Sequence, residues 1–124
     1  MAIVKGILIA VIAYFLGNIS TGLLVGKAVG HIDIRKTGSG NAGTTNVMRT
    51  LGWFPSVLTL LGDVLKAVIA VAIGGAILGE TGKYIAGVAV LLGHNWPVCF
   101  GFKGGKGMAS SLGIILATEP LLAL

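Results

Sequence analysis

Gly38-Ser39-Gly40-Asn41-Ala42-Gly43-Thr44-Thr45-Asn46-Val47-Met48-Arg49 spells G-x-G-x-x-G in its first six residues and carries no strongly apolar side chain before Val47. How it is read decides the fold. In a dinucleotide-binding domain these glycines would follow a strand and open a helix of a βαβ unit, with an acidic residue about 20 positions further on. Here apolar segments long enough to cross a bilayer lie on both sides of the motif, so a membrane helix precedes it and that fold is rejected. The local physics survives the rejection. Glycines let the main chain take positive φ and approach a ligand closely, presenting N–H donors to an anion. Ser39, Asn41, Thr44, Thr45 and Asn46 add neutral donors, and Arg49 can hold phosphate or carboxylate bidentately.

Composition supports the membrane reading. Of 124 residues, 55% are hydrophobic and only 10% charged, and the mean hydropathy is +0.97. A soluble domain carries roughly a quarter charged residues, so a water-facing surface cannot be built from this chain. No repeat or linker divides it, and residues 1–124 are read as a single membrane domain. The formal charge of +5 comes from basic residues scattered between apolar spans, without a nucleic-acid motif, so no nucleic-acid partner is expected. Cys99 has no cysteine to pair with, and its flanks Val98 and Phe100 make it a poor nucleophile. No second His or Cys/carboxylate cluster stands near His94, and no metal site is expected.

Outward from the motif, Ile3 to Val25 reads as a first span, interrupted by Lys5 and by the small polar set Asn18, Ser20 and Thr21. A retained helix is favoured over a cleaved signal peptide, because Ala28-Val29-Gly30 lies well beyond the apolar core. Gly22, Gly26 and Gly30 recur every fourth residue and predict close approach to another helix. Trp53 to Leu78 is a second apolar segment, in which Asp63 and Lys66 share a helix face at i, i+3. The pair is read equally as a neutral packing device or as support for a site. Glu80-Thr81-Gly82-Lys83 reads as a tight turn, Tyr84 to Leu92 as a helix breaking near Gly93, and Met108 to Leu124 as a further helix. The expected fold is therefore all-α and polytopic, with about four membrane segments joined by glycine-rich loops.

Charge orients this arrangement. Residues 27–52 and 93–107 hold Lys27, Arg35, Lys36, Arg49, Lys103 and Lys106, six of the nine basic residues. The positive-inside rule puts both stretches in the cytoplasm and the N-terminus outside. The second stretch contains Phe102-Lys103-Gly104-Gly105-Lys106-Gly107. It is not a phosphate-binding loop of the Walker type, since Phe100 and Gly107 stand where Gly and Ser/Thr are required. Two lysines among glycines at the start of a helix still make an anion cradle. Two anion-friendly loops on one membrane face point to phosphate-bearing substrates.

Taken together, Gly38-Ser39-Gly40-Asn41-x-Gly43-x-Thr45-Asn46-x-x-Arg49, Gly62-Asp63-x-x-Lys66 and Gly93-His94-x-x-Pro97-Val98-x-x-Gly101-Phe102-Lys103-Gly104-Gly105-Lys106-Gly107 resemble the bacterial PlsY family, integral-membrane acyltransferases. The resemblance implies transfer of a fatty acyl group from acyl phosphate to the 1-hydroxyl of glycerol 3-phosphate, giving lysophosphatidic acid and phosphate, with no cofactor. It implies Ser39 and Arg49 as catalytic residues. Gly38, Gly40, Asn41, Asn46 and His94, with Lys103, Gly104, Gly105, Lys106 and Gly107 of the second loop, are the expected substrate-binding set. Implied partners are the two substrates, membrane lipids and the soluble enzyme that makes acyl phosphate, at the cell (cytoplasmic) membrane. Family members continue into further helices and a third motif, so the chain is expected to be their N-terminal part. From other classes, an anion transporter or a structural membrane subunit remains as the alternative.

Overall fold

The structure is a computed structural model and describes residues 1–102, 104, 105 and 108–118. Its described elements are helical, with no strand among them. Helix α1 covers Ala2–Asn18, α2 Thr21–Gly30, α3 Thr44–Leu51, α4 Trp53–Asn95 and α5 Met108–Thr118, with short 3-10 turns at Ile34–Lys36 and Val98–Phe100. Two helical stretches, 2–30 and 53–95, are long and apolar enough to cross a membrane. Large apolar side chains such as Ile3, Ile7, Phe15, Leu61, Leu65 and Val88 stand exposed on their surfaces.

Helix α4 is a hairpin. Leu78 and Gly79 leave helical geometry, and Gly79 takes φ 62, a left-handed conformation that glycine adopts without a Cβ penalty. The limbs 53–77 and 80–95 then run back to back: a Cβ on Gly74 would collide with Gly82 O, and one on Gly82 with Gly74 O. Helix α1 lies along the second limb with its backbone almost touching it, since a Cβ on Gly17 would strike Val90 O and one on Gly93 would strike Tyr14 O. Five of the seven buried residues in the core between α1 and the two limbs are alanine: Ala13, Ala67, Ala70, Ala86 and Ala89, beside Ile9 and Val90. Small side chains allow the close helix approach that replaces hydrophobic driving force in a membrane. Helix α5 packs on both limbs, with Gly113 against Val64 O and Ala67, and Ile114 against Gly87.

Several boundaries differ from the sequence reading, each for a local reason. The first apolar segment is not one helix: it breaks at Ile19 and restarts at Ser20, whose hydroxyl caps α2 by accepting from Leu23 N at 3.3 Å. The hairpin turn falls at Leu78–Gly79 rather than at Glu80–Lys83, which form the first turn of the second limb and are tied by a 3.2 Å Lys83–Glu80 ion pair. That limb continues through Gly93 to Asn95 and stops just before Pro97, because a proline restricts the preceding residue away from helical geometry. The Gly22/Gly26/Gly30 stripe lies mainly against the polar stretch, facing Ala42 O, Ile34 and, on α3, Leu51, and it meets the long helix α4 at Thr59, beside Gly22. The expected helix over 108–124 is described as far as Thr118, and residues 119–124 lie outside the described residues.

Candidate functional site

The opening motif divides into a braced loop and a helix. Gly38 and Gly40 take φ 54 and φ 78, and a Cβ on Gly38 would collide with Asn46 Oδ1. Asn46 is 1% exposed. Its amide nitrogen faces the carbonyls of Ile34 (2.9 Å), Thr37 (2.9 Å) and Asn41 (2.8 Å), and its Oδ1 accepts from Ser39 N at 3.0 Å. Two N–H bonds are thus shared among three carbonyls, which also fixes which way round the amide sits. Ahead of it, Asp33 caps the turn 34–36 and is clasped by Arg35 through Nε at 3.2 Å and a second guanidinium nitrogen at 3.1 Å. The Arg35 hydrogen bonds hold the Asp33 carboxyl below its ordinary value.

At Thr44 the chain turns helical, where the sequence suggested only loop. Helix α3 starts at Gly43 with no side-chain cap, so no capping side chain covers its first N–H groups or the positive end of its dipole. Asn46 and Val47 are buried while Thr45 and Arg49, one turn apart on the other face, are exposed. Ser56 on α4 donates to Thr44 O at 2.9 Å and anchors this end.

The uncapped end opens onto a cavity of ≈ 430 Å³ lined by Ser39, Asn41, Gly43, Thr44, Thr45, Asn46 and Arg49 from the motif, Leu60, Asp63 and His94 from α4, and Ala109 and Leu112 from α5. The donors of the motif, Arg49 and His94 therefore share one space. Asn41 Oδ1 and Thr44 Oγ1, both buried, have no hydrogen-bond partner among the described residues; a polar cavity with unmatched buried groups suits a polar ligand. Among the described residues no group of three or more His, Cys, Asp or Glu could hold a metal ion.

His94 is 4% exposed. Its Nδ1 lies 2.8 Å from Lys66 Nζ and 3.9 Å from Asp63 Oδ1. The expected Asp63–Lys66 pairing is present at 3.3 Å. Lys66 Nζ also reaches Gly17 O at 3.0 Å and Ile19 O at 2.7 Å, across the α1–α2 break. The second loop leans on the same place: Gly104 N donates to Asn95 O at 3.2 Å and Gly105 N to His94 O at 3.3 Å. Lys103, Lys106 and Gly107, expected to bind substrate, lie outside the described residues. Gly38 and Gly40 shape the first loop and Gly104 and Gly105 the second, though none of these glycines lines the cavity. Sequence reasoning did not foresee the convergence of Lys66 on His94. The available signal was the presence of polar residues at Asn18, Asp63, Lys66 and His94 inside apolar segments.

The family model described as glycerol-3-phosphate acyltransferase matches residues 7–124. Over 118 residues, covering 95% of this chain, the sequence is 51% identical to a glycerol-3-phosphate acyltransferase of Alkaliphilus metalliredigens. It is 54% identical over 114 residues to one of Geobacter metallireducens. The chain spans 60% and 58% of the lengths of these relatives. A crystal structure of PlsY (YgiH), an integral membrane glycerol 3-phosphate acyltransferase in its glycerol 3-phosphate form, superposes with a TM-score of 0.88 at 41% identity, over 95% of this chain and 60% of that one. The lysphosphatidic acid form gives 0.85 at 40% identity, over 95% and 59%.

Proposed function

The chain belongs to the glycerol-3-phosphate acyltransferase family, and from that premise we propose that it forms the phosphate-handling part of an acyl-transfer site. The reaction moves a fatty acyl group from acyl phosphate to glycerol 3-phosphate. The observation that carries the reading is the single cavity in which the uncapped α3 N-terminus, Ser39, Asn41 and Arg49 face His94. Phosphate groups are what unfilled helix N–H donors and a guanidinium bind best.

Acyl phosphate is already activated, so no covalent enzyme intermediate is required. The 1-hydroxyl oxygen of glycerol 3-phosphate attacks the acyl carbonyl carbon, the bond between that carbon and the phosphate oxygen breaks, and the hydroxyl proton leaves with the departing phosphate. The protein's part is to hold two anions close together and to stabilise charge on the carbonyl and leaving oxygens. Ser39 and Arg49 act on the reacting groups, with Asn41 beside them in the cavity wall and Gly38 and Gly40 shaping the loop that carries it. Asn46 contributes by holding that wall, its amide being occupied by Ile34, Thr37, Asn41 and Ser39. Lys103, Gly104, Gly105, Lys106 and Gly107 supply the second anion cradle, for glycerol 3-phosphate.

We place the site at the cytoplasmic face of the cell membrane, with α1–α2, both limbs of α4 and α5 as four membrane segments and the N-terminus outside. The charge bias toward residues 27–52 and 93–107 supports this,. The described residues of both stretches also lie at the bundle end opposite the Leu78–Gly79 turn, where α4 begins and ends. A soluble enzyme that makes acyl phosphate would deliver the donor there.

The test is phosphate release from palmitoyl phosphate with and without glycerol 3-phosphate, using the product of the complete reading frame that encodes this chain. Release should depend on glycerol 3-phosphate, and Arg49→Ala should lower kcat/KM about 100-fold or more, the scale of losing one charge-stabilising donor. Uptake of phosphate into vesicles without acyl transfer, or near-normal transfer by Arg49→Ala, would overturn the reading.

A further inference from the structure

Lys66 is a buried charge that does not line the cavity, although its neighbours Asp63 and His94 do. Among the described residues its ammonium has four neighbours: Gly17 O at 3.0 Å, Ile19 O at 2.7 Å, His94 Nδ1 at 2.8 Å and Asp63 Oδ1 at 3.3 Å. The two carbonyls are those freed where α1 breaks before α2, and backbone at membrane depth must be satisfied from within. With two of its three hydrogens on those carbonyls, the third is directed at His94. An ammonium cannot face a protonated ring nitrogen at that distance, because both would be donors. Nδ1 must therefore be the acceptor, and the imidazole proton sits on Nε2.

The other side of the ring faces the second loop. A Cβ on Gly105 would collide with His94 Nε2, so the absence of a side chain there leaves room for that nitrogen. Gly105 N in turn donates to His94 O at 3.3 Å. On the far side, Asp63 packs beside Thr21 at the start of α2, where a Cβ on the neighbouring Gly62 would strike the Thr21 side chain.

We propose that Lys66 is a positioning residue for His94: by donating to Nδ1 it sets the Nε2–H tautomer, so that His94 offers a fixed neutral N–H donor to an anionic oxygen bound in the cavity. The cavity's use for acyl transfer rests on the function proposed above, whereas the tether itself does not. Such an arrangement follows the general rule that the partner of one imidazole nitrogen decides what the other can do. It also makes one side chain responsible for two things, the break between α1 and α2 and the state of the ring at the site.

Nitrogen-15 NMR of histidine-labelled protein in detergent micelles tests the tether directly. The measurement is made on the product of the complete reading frame, and comparison with the spectrum of its His94→Gln variant identifies the His94 signals. His94 should show a protonated Nε2 and an unprotonated Nδ1. A protonated Nδ1, as a neutral Lys66 amine would produce, or an imidazolium would overturn the proposal. Activity supplies the second arm. His94→Gln keeps a donor near the Nε2 position and should hold kcat within about tenfold, whereas His94→Asn, which reproduces only the Nδ1 side, should lose about 100-fold or more. Lys66→Met should lower kcat in the parent and have little further effect in the His94→Gln background; additive losses would count against the tether. If Lys66→Met does not fold, the parent spectrum and the two His94 variants still decide. An inactive protein with the Nε2–H tautomer sinks the acyl-transfer reading alone, and an active one with the other tautomer sinks only the tether.

Discussion

The two glycine-rich stretches reach the same end of the bundle but are held in different ways. The first, from Ile34 to Arg49, is braced from within: Asn46 bonds to three carbonyls and one amide of its own segment, and Asp33 clasps Arg35. The described part of the second has no such internal brace. Phe102 N returns to Pro97 O at 2.7 Å, and Gly104 N and Gly105 N lean on the last carbonyls of α4. The lesson is that the first wall carries its own shape, whereas the second borrows its shape from α4 and from His94.

The largest effect should come from removing the internal brace. Asn46→Ala leaves Ile34 O, Thr37 O, Asn41 O and Ser39 N without their partner. Each buried unsatisfied group costs about 1–3 kcal/mol, so a loss on the order of 3–5 kcal/mol is expected before any effect on chemistry. Thermal unfolding in detergent, followed beside acyl transfer, should show both falling together. A stable Asn46→Ala protein would mean that the first loop is held from outside after all, and the contrast would collapse.

Next in size is the glycine pair that separates the two modes. A Cβ on Gly104 would strike His94 O and come within 2.9 Å of Pro97 Cδ, whereas one on Gly43 would meet only Asn41 Oδ1 at 3.4 Å, an ordinary contact. Gly43 also has φ −94 and ψ 173, open to any L-residue. Gly104→Ala should therefore cost about 1–3 kcal/mol of packing and lift the second loop from α4, lowering turnover by about tenfold or more. Gly43→Ala should change the unfolding midpoint little. Equal sensitivity at both positions would show that the second loop is no more dependent on its seat than the first.

How much of this was legible in the sequence follows the same division. Short-range spacing was readable: the i, i+3 pair Asp63–Lys66 forms as the helix period requires, and the helical, membrane-type architecture followed from apolar length. Partners far apart in sequence were not readable. Nothing in the local pattern says that Lys66 will cap carbonyls at Gly17 and Ile19, or that Asn18 will bond to Gly93 O at 3.2 Å and accept from Cys99 N at 3.0 Å. Those contacts are why the first apolar segment breaks where an uninterrupted helix was expected. The start of α3 was hidden for another reason. Gly43 caps it without a side-chain bond, so the usual Ser/Asp capping signal is lacking, and that same uncapped end is what the cavity uses.

The smallest expected effect sharpens the account of the first loop, because it separates the part braced by a neutral amide from the part braced by charge. The Asp33 carboxyl is held below the ordinary carboxylate range, first by the hydrogen bond from the Arg35 side chain, then by Arg35 N–H and the nearby charges of Arg35 and Lys36. A carboxyl whose folded value is depressed contributes stability that is fully present above its unfolded value and is lost as pH falls through the folded one. Asp33→Asn should therefore narrow the stability difference from the parent as pH drops below about 4, and show its small deficit at neutral pH. Side chains 22% exposed on both partners are screened by solvent, so raising the salt concentration should shrink the deficit further. Asn46 carries no charge, and the cost of Asn46→Ala should stay the same across both the pH and the salt series. If Asp33→Asn instead costs as much as Asn46→Ala and resists salt, the loop is held by a desolvated ion pair, and its neutral brace is the lesser of the two.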